Sequence, residues 1–210
     1  MRNRDYLKKR KLERGLSMKR IAVFCGSSLG ASPMYVEGAT LLGKELARRE
    51  IELVYGGSCV GLMGAVADAV LENGGKVIGV LPKFLAEKEI AHKHLSELIA
   101  VESMHERKAK MADLADGFIT LPGGAGTLEE FFEIFTWAQL GLHQKPCGIL
   151  NTNNYYDPLI RLIHHMADAA FLQEKFRDMA LVDTTSAGLL DQFDTYKAPT
   201  VKVFLNEQQT

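Results

Sequence analysis

The stretch Gly117-Phe-Ile-Thr-Leu-Pro-Gly-Gly-Ala-Gly-Thr127, running on into Leu128-Glu-Glu-Phe-Phe-Glu-Ile-Phe-Thr-Trp-Ala-Gln-Leu140, decides how the chain is read. Residues 117–121 form an apolar run of strand length, stopped by Pro122 and a cluster of glycines. Residues 128–140 are long enough and apolar enough for a helix. A buried strand that passes through a glycine-rich turn into a helix is the repeating unit of a parallel sheet with helical crossovers.

The same unit recurs outward from this point. Upstream, Arg20-Ile-Ala-Val-Phe-Cys25 stops at Gly26-Ser-Ser28, and Ser32-Pro33 reads as an N-cap and first helical residue for a helix over 33–49. Ile51–Tyr55 ends at Gly56-Gly57, and Gly61-Leu-Met-Gly64 opens a helix that closes at Asn73-Gly-Gly75. Lys76–Leu81 is a further strand stopped by Pro82, Leu98–Val101 a short one, and 104–115 a helix. Downstream, Pro146–Leu150 reads as a strand and 156–170 as helical, with weaker strand-like pieces at Ala180–Val182 and Thr200–Phe204. The expected fold is a single α/β domain, doubly wound and Rossmann-like, with a mostly parallel sheet and helices on both faces. Its glycine-rich turns at 26–30, 56–64 and 123–126 would line the carboxyl edge of the sheet, where such folds bind ligands.

Composition fits this reading and excludes others. The 210 residues are 47% apolar and 24% charged, enough for one buried core. No apolar run approaches the roughly 20 residues of a membrane span, and no charged-then-apolar leader is expected at the start. Cys25, Cys59 and Cys147 form no CxxC pair, which excludes a disulfide framework or Cys-rich zinc module and points to the cytoplasm. The net charge of −1 hides an asymmetry: residues 1–20 carry nine Lys/Arg against Asp5 and Glu13, so the rest carries −8. Residues 1–17 are expected to be a basic, flexible extension, 18–195 the domain, and 196–210 a tail. The extension suits binding to nucleic acid or another anionic surface, or it is a plain tail without a partner; the latter is expected, with no membrane or nucleic-acid partner.

Several residues carry candidate chemistry. The turn 121–127 lets backbone N–H groups at a helix start approach a phosphate; the competing reading is a tight turn. It is neither a Walker loop nor a GxGxxG fingerprint, since Glu129 stands where the third glycine belongs. Thr127-x-x-Glu130 is either a capping box or the seat of a catalytic carboxylate. Two carboxylates, Glu129 and Glu130, would weaken a plain anion trap and suit a carbon that turns positive during reaction. Arg107 and Lys108 fall on the apolar stripe of helix 104–115, as an anion site or as snorkelling stems. Cys25 reads as buried rather than nucleophilic. His92-Lys-His94 and His164-His165 lack supported metal-ligand spacing, and the phenylalanines around Trp137 suit a core or a subunit contact.

Phe24-Cys-Gly-Ser-Ser28, Tyr55-Gly-Gly57 with Gly61-Leu-Met-Gly64, Met104-His-Glu-Arg-Lys108, Pro122-Gly-Gly-Ala-Gly-Thr-Leu-Glu-Glu130 and Thr136-Trp-Ala-Gln-Leu-Gly141 together resemble the Lonely Guy family. Its members are cytokinin riboside 5′-monophosphate phosphoribohydrolases, often labelled lysine decarboxylase-like. The resemblance runs from about Lys19 to Phe193. It implies hydrolysis of the N-glycosidic bond of an adenosine 5′-monophosphate, often N6-substituted, to free base and ribose 5-phosphate, without metal or cofactor. It also implies a homodimer or larger assembly. Arg107 and Glu130 match the family's catalytic pair. Glu89, Lys108, Gly123, Gly124, Ala125, Gly126, Thr127, Leu128, Glu129 and Thr136 match its nucleotide-contacting positions, and Ser27 falls in the first phosphate-edge turn as a further substrate contact. Ala91-His-Lys-His94 departs from the Thr-Gly-Glu pattern of plant members and resembles bacterial ones, which leaves AMP beside cytokinin nucleotides as substrate. The rival readings are a molybdenum-cofactor carrier of the same fold and a pyridoxal-phosphate lysine decarboxylase.

Overall fold

A computed structural model describes residues 18–86 and 91–201. Seven strands are described: β1 (Arg20–Phe24), β2 (Glu52–Tyr55), β3 (Val77–Pro82), β4 (Glu97–Val101), β5 (Gly117–Thr120), β6 (Cys147–Leu150) and β7 (Ala180–Asp183). They form one sheet in the order β4-β3-β2-β1-β5-β6-β7, with every pairing parallel. Strands covered on both faces cannot alternate polar with apolar, and β1, β3 and β5 are almost continuously buried.

Helices α1 (Pro33–Arg48) and α2 (Gly61–Glu72) cover one face, together with α7 (Ser186–Thr195). The other face carries α4 (Met104–Leu114), α5 (Ala125–Gln139) and α6 (Asp157–Asp168); a single helical turn, α3 (Lys83–Ala86), follows β3. Ser32 caps α1, its Oγ accepting from Met34 N at 3.3 Å, with Pro33 at the first helical position as the sequence predicts. Gly43 lets α1 and α2 pack closely: a Cβ there would meet Ala69 Cβ and Val66 O at 2.7 Å.

The chain winds outward from β1 to β4, then returns to place β5 on the other flank of β1. The loops after β1 and β5 therefore diverge in direction but start side by side, which opens a crevice at the carboxyl edge. The register pairs Phe24 with Thr120, so both strands end at the same height.

Three expectations change. The helix after the glycine turn begins at Ala125, not Leu128, because the turn's last residues already coil. Residues 186–195 form a helix that the sequence reading left unassigned; Thr185 caps it by accepting from Gly188 N at 3.2 Å. Thr200 and Val201 belong to no strand, and 202–204 lie outside the described residues, as does the extension 1–17. Of the expected tail, Tyr196 and Val201 pack against the core beside α6.

Candidate active site

Three turns meet at the mouth of the crevice, and close backbone approach explains most of their glycines. Gly26 N donates to Pro122 O at 3.0 Å, joining the loops after β1 and β5. Leu62 N, at the start of α2, donates to Gly26 O at 3.1 Å. Gly61 has φ of +61°, and a Cβ on it would lie 2.2 Å from Ser27 C, so only glycine fits against exposed Ser27.

The glycines of the 123–126 turn divide into two kinds. A Cβ at Gly123 would fall 2.2 Å from Thr127 Oγ1 and 2.8 Å from Gly26 N, so that residue is fixed by packing. At Gly124 and Gly126 a Cβ would meet nothing within 4 Å among the described residues, and neither has positive φ. Their missing side chains leave open space in front of the N terminus of α5. Gly124 is the N-cap, and no side chain caps the helix. The first-turn amides therefore face the crevice with the positive end of the helix dipole behind them.

The capping-box reading of Thr127 and Glu130 is thus corrected. Thr127 is the third residue of α5, buried beneath the turn against Gly123, and it does not cap. Ala125 is exposed on the first turn, whereas Leu128 turns into the core beside α6. A working cap lies instead at Ser103-x-x-Glu106, which the sequence reading passed over, its Glu reaching the residue before the cap rather than the cap itself. Ser103 Oγ accepts from Glu106 N at 3.1 Å, and Glu106 Oε2 accepts from Glu102 N at 2.7 Å. It fixes the start of α4, whose first residue, Met104, lies three before Arg107.

Arg107 and Lys108 are both nine-tenths buried and both face α5. Arg107 Nη2 stands 3.9 Å from Glu130 Oε1, too far for a hydrogen bond. Among the described residues its Nη1 has only Met104 Sδ, at 3.8 Å, and its buried Nε has no partner. Gly56 makes room for this guanidinium: a Cβ there would lie 1.8 Å from Nη2. Lys108 is engaged by two carboxylates, with Nζ bonded to Glu129 Oε1 and 3.1 Å from Glu133 Oε2. Burial pulls the Lys108 ammonium down, but the hydrogen bonds to Glu129 and Glu133 outweigh this and raise it.

Burial pushes the Glu130 carboxyl up to about 7, opposed by the Arg107 charge and reinforced by Glu129. Burial, and then the Glu130 charge, also raise the Cys25 thiol, which leaves it a buried, unreactive group. The structure thus gathers Ser27, Arg107, Lys108, Gly123–Thr127, Glu129 and Glu130 around one crevice. Thr136 is exposed on α5, seven residues beyond Glu129 and so about 10 Å along the helix axis. Glu89 lies outside the described residues. The sequence reading missed Glu133, whose i+4 spacing from Glu129 was the available signal.

Comparison with known proteins bears on this site. Residues 63–193 match the family described as "Possible lysine decarboxylase". The chain is 49% identical over 179 residues to the cytokinin riboside 5′-monophosphate phosphoribohydrolase LOG7 of Arabidopsis thaliana, covering 85% of this chain and 82% of that protein. It is 50% identical over 165 residues to the cytokinin riboside 5′-monophosphate phosphoribohydrolase of Rhodococcoides fascians, covering 78% and 83%. Among solved structures, the molybdenum cofactor binding protein of Rippkaea orientalis superposes with a TM-score of 0.66 at 19% identity, over 86% of this chain and 98% of that one. That likeness concerns the fold.

Proposed function

The chain belongs to the Lonely Guy family of cytokinin riboside 5′-monophosphate phosphoribohydrolases, and on that premise we propose that Arg107 and Glu130 are its catalytic pair. It is a phosphoribohydrolase, releasing the base from a nucleoside 5′-monophosphate by hydrolysis. One observation carries the assignment of the pair. A buried guanidinium whose Nε has no partner among the described residues stands beside a mostly buried carboxylate, and the two do not satisfy each other. Such a cost persists where a ligand completes the bonding.

The substrate phosphate sits on the amides at the start of α5, in the space left by Gly124 and Gly126, with Ser27 at its edge. That anchors the ribose with C1′ toward Glu130. As the C1′–N bond breaks, its electron pair leaves with the base and positive charge builds on the ribose ring; ionised Glu130 stabilises that charge and orients the water, whose oxygen bonds to C1′ while the proton it loses balances the departing base. Arg107 supplies its free N–H groups to ribose or phosphate oxygens and holds Glu130 charged. Lys108 holds α5 in place through Glu129 and Glu133.

Pyridoxal chemistry fits this site poorly. A Schiff-base lysine must lose its proton, whereas Lys108, beside the catalytic pair, is bound by two carboxylates that favour the ammonium. A cofactor carrier would need the loop but not the Arg107–Glu130 pair.

The proposal extends to AMP alongside N6-substituted nucleotides, to a cytoplasmic location and to a homodimer. Three free cysteines suit a reducing compartment. Phe132 and Trp137 of α5 are only partly buried, which suits α5 as the dimer contact. Purified protein should release adenine from AMP and the substituted base from isopentenyladenosine monophosphate, followed by chromatography. Tight AMP binding without any base release would replace the enzyme reading with the carrier.

A further inference from the structure

We propose that Tyr155 and Tyr156 are positioning residues that orient the phosphate-binding turn by holding its carbonyl groups; the proposal rests on the phosphate reading given above. Three successive carbonyls of that turn are each held by a defined donor. Tyr156 Oη donates to Leu121 O at 2.7 Å, Gly26 N to Pro122 O at 3.0 Å, and Tyr155 Oη to Gly123 O at 2.7 Å.

A trans peptide is planar, and its N–H points opposite to its C=O. Fixing Gly123 O toward Tyr155 therefore aims the N–H of Gly124 the other way. Glycine on both sides of this peptide makes its rotation easy, because no Cβ resists a change of φ and ψ. A flipped Gly123–Gly124 peptide would present a carbonyl oxygen to the phosphate in place of a donor. The hydroxyl of Tyr155 opposes that flip. Hydrogen bonds of this kind change the population of a donor geometry without touching the ligand.

The two tyrosines are themselves held. Tyr156 is buried, and its backbone N donates to Asn151 Oδ1 at 2.7 Å, while Asn151 Nδ2 donates to Asp157 Oδ1 at 2.8 Å. The connecting turn passes through Asn153 and Asn154 at φ of 52° and 57°, a conformation that asparagine tolerates better than most residues. The Tyr155 ring packs edge-on against Tyr156 at 4.8 Å and against Tyr35 of α1 at 5.6 Å. Tyr35 in turn fills the space beside Gly30, where a Cβ would come within 2.6 Å of its ring. The aromatic group thus braces the turn after β5 and the loop after β1 together.

Tyr155→Phe keeps the ring and removes only the bond to Gly123 O; Tyr155 is also partly exposed, so the variant should fold. The measurements are KM and kcat for AMP, inhibition by ribose 5-phosphate, hydrolysis of adenosine, and thermal melting. We expect the ribose 5-phosphate inhibition constant and the KM for AMP to rise together by about fivefold, as for one neutral hydrogen bond. Turnover at saturation, adenosine hydrolysis and melting should stay near wild type. Tyr156→Phe should move the same constants in the same direction while also lowering the melting temperature. Unchanged KM and inhibition constant in Tyr155→Phe would overturn the proposal. Wild-type protein that hydrolyses adenosine as well as AMP and ignores ribose 5-phosphate would instead remove the phosphate reading beneath it.

Discussion

Arg107 and Lys108 are neighbours on α4, equally buried, and each faces a carboxylate of α5. Lys108 closes a bonded cluster with Glu129 and Glu133, while Arg107 stops 3.9 Å from Glu130 and its Nε has no partner among the described residues. The lysine cluster is complete and stabilises the helix pair. The arginine pair is incomplete, and the missing bonds are those a bound substrate can make. Burial of a charge therefore does not mark a site; burial without satisfaction does.

The contrast can be broken at its strongest point first. Glu130→Gln keeps shape and burial but removes the charge opposite the ribose, and kcat should fall about 10³-fold with circular dichroism unchanged. A variant with undiminished base release would take Glu130 out of the reaction. Arg107→Lys keeps a charge but loses the planar fork, so kcat/KM for AMP should drop about 100-fold. Recovery of most of that activity by free guanidinium would sharpen the assignment to its N–H groups.

Acidity separates the two clusters next. The Glu130 carboxyl is raised to about 7 from an ordinary 4.5, so the folded chain holds this proton more tightly than the unfolded chain. Its contribution to stability is then greatest below about pH 4.5 and is lost as pH rises to about 7, a change of about 3 kcal/mol. Glu130→Gln should flatten that part of the stability profile in urea titrations and be more stable than wild type at pH 8. As a carboxylate in catalysis, Glu130 should also make kcat/KM climb through about pH 7. A wild-type profile that is flat between pH 5 and 8 would contradict both. Among the variants of the two ion clusters, Lys108→Gln should affect turnover least: about 1 to 2 kcal/mol of stability lost, since Glu129 and Glu133 are partly solvated, with kcat reduced less than about tenfold. A loss as large as that of Arg107→Lys would place Lys108 on the substrate.

Much of this was legible in the chain itself. The strands around Val23, Val54, Val80 and Ile119 are short apolar runs bounded by glycine or proline, and such runs have few alternatives in a doubly wound fold. Helix α7 escaped notice because Leu189, Leu190 and Phe193 make a short, mixed pattern that acquires meaning only against Ile21 and Leu121 in the core. The Thr/Ser-x-x-Glu signature occurs twice, at 103–106 and 127–130, and only one copy caps a helix. Local sequence is the same in kind at both places. The difference is that the β5–α5 connection begins to coil at Gly124, three residues earlier than the motif requires.

The sequence by itself determined the alternation of strands and helices, the glycine-rich edge and, through its motifs, the family. Those features depend on spacing along the chain, which is local. Tertiary structure alone decided which glycines leave room for a ligand, which of two adjacent cations is left unsatisfied, and that Tyr155 and Tyr156 reach back 32 and 35 residues to the turn. Each of these is a distance between atoms far apart in the chain, set by how α4, α5 and the carboxyl edge of the sheet pack together.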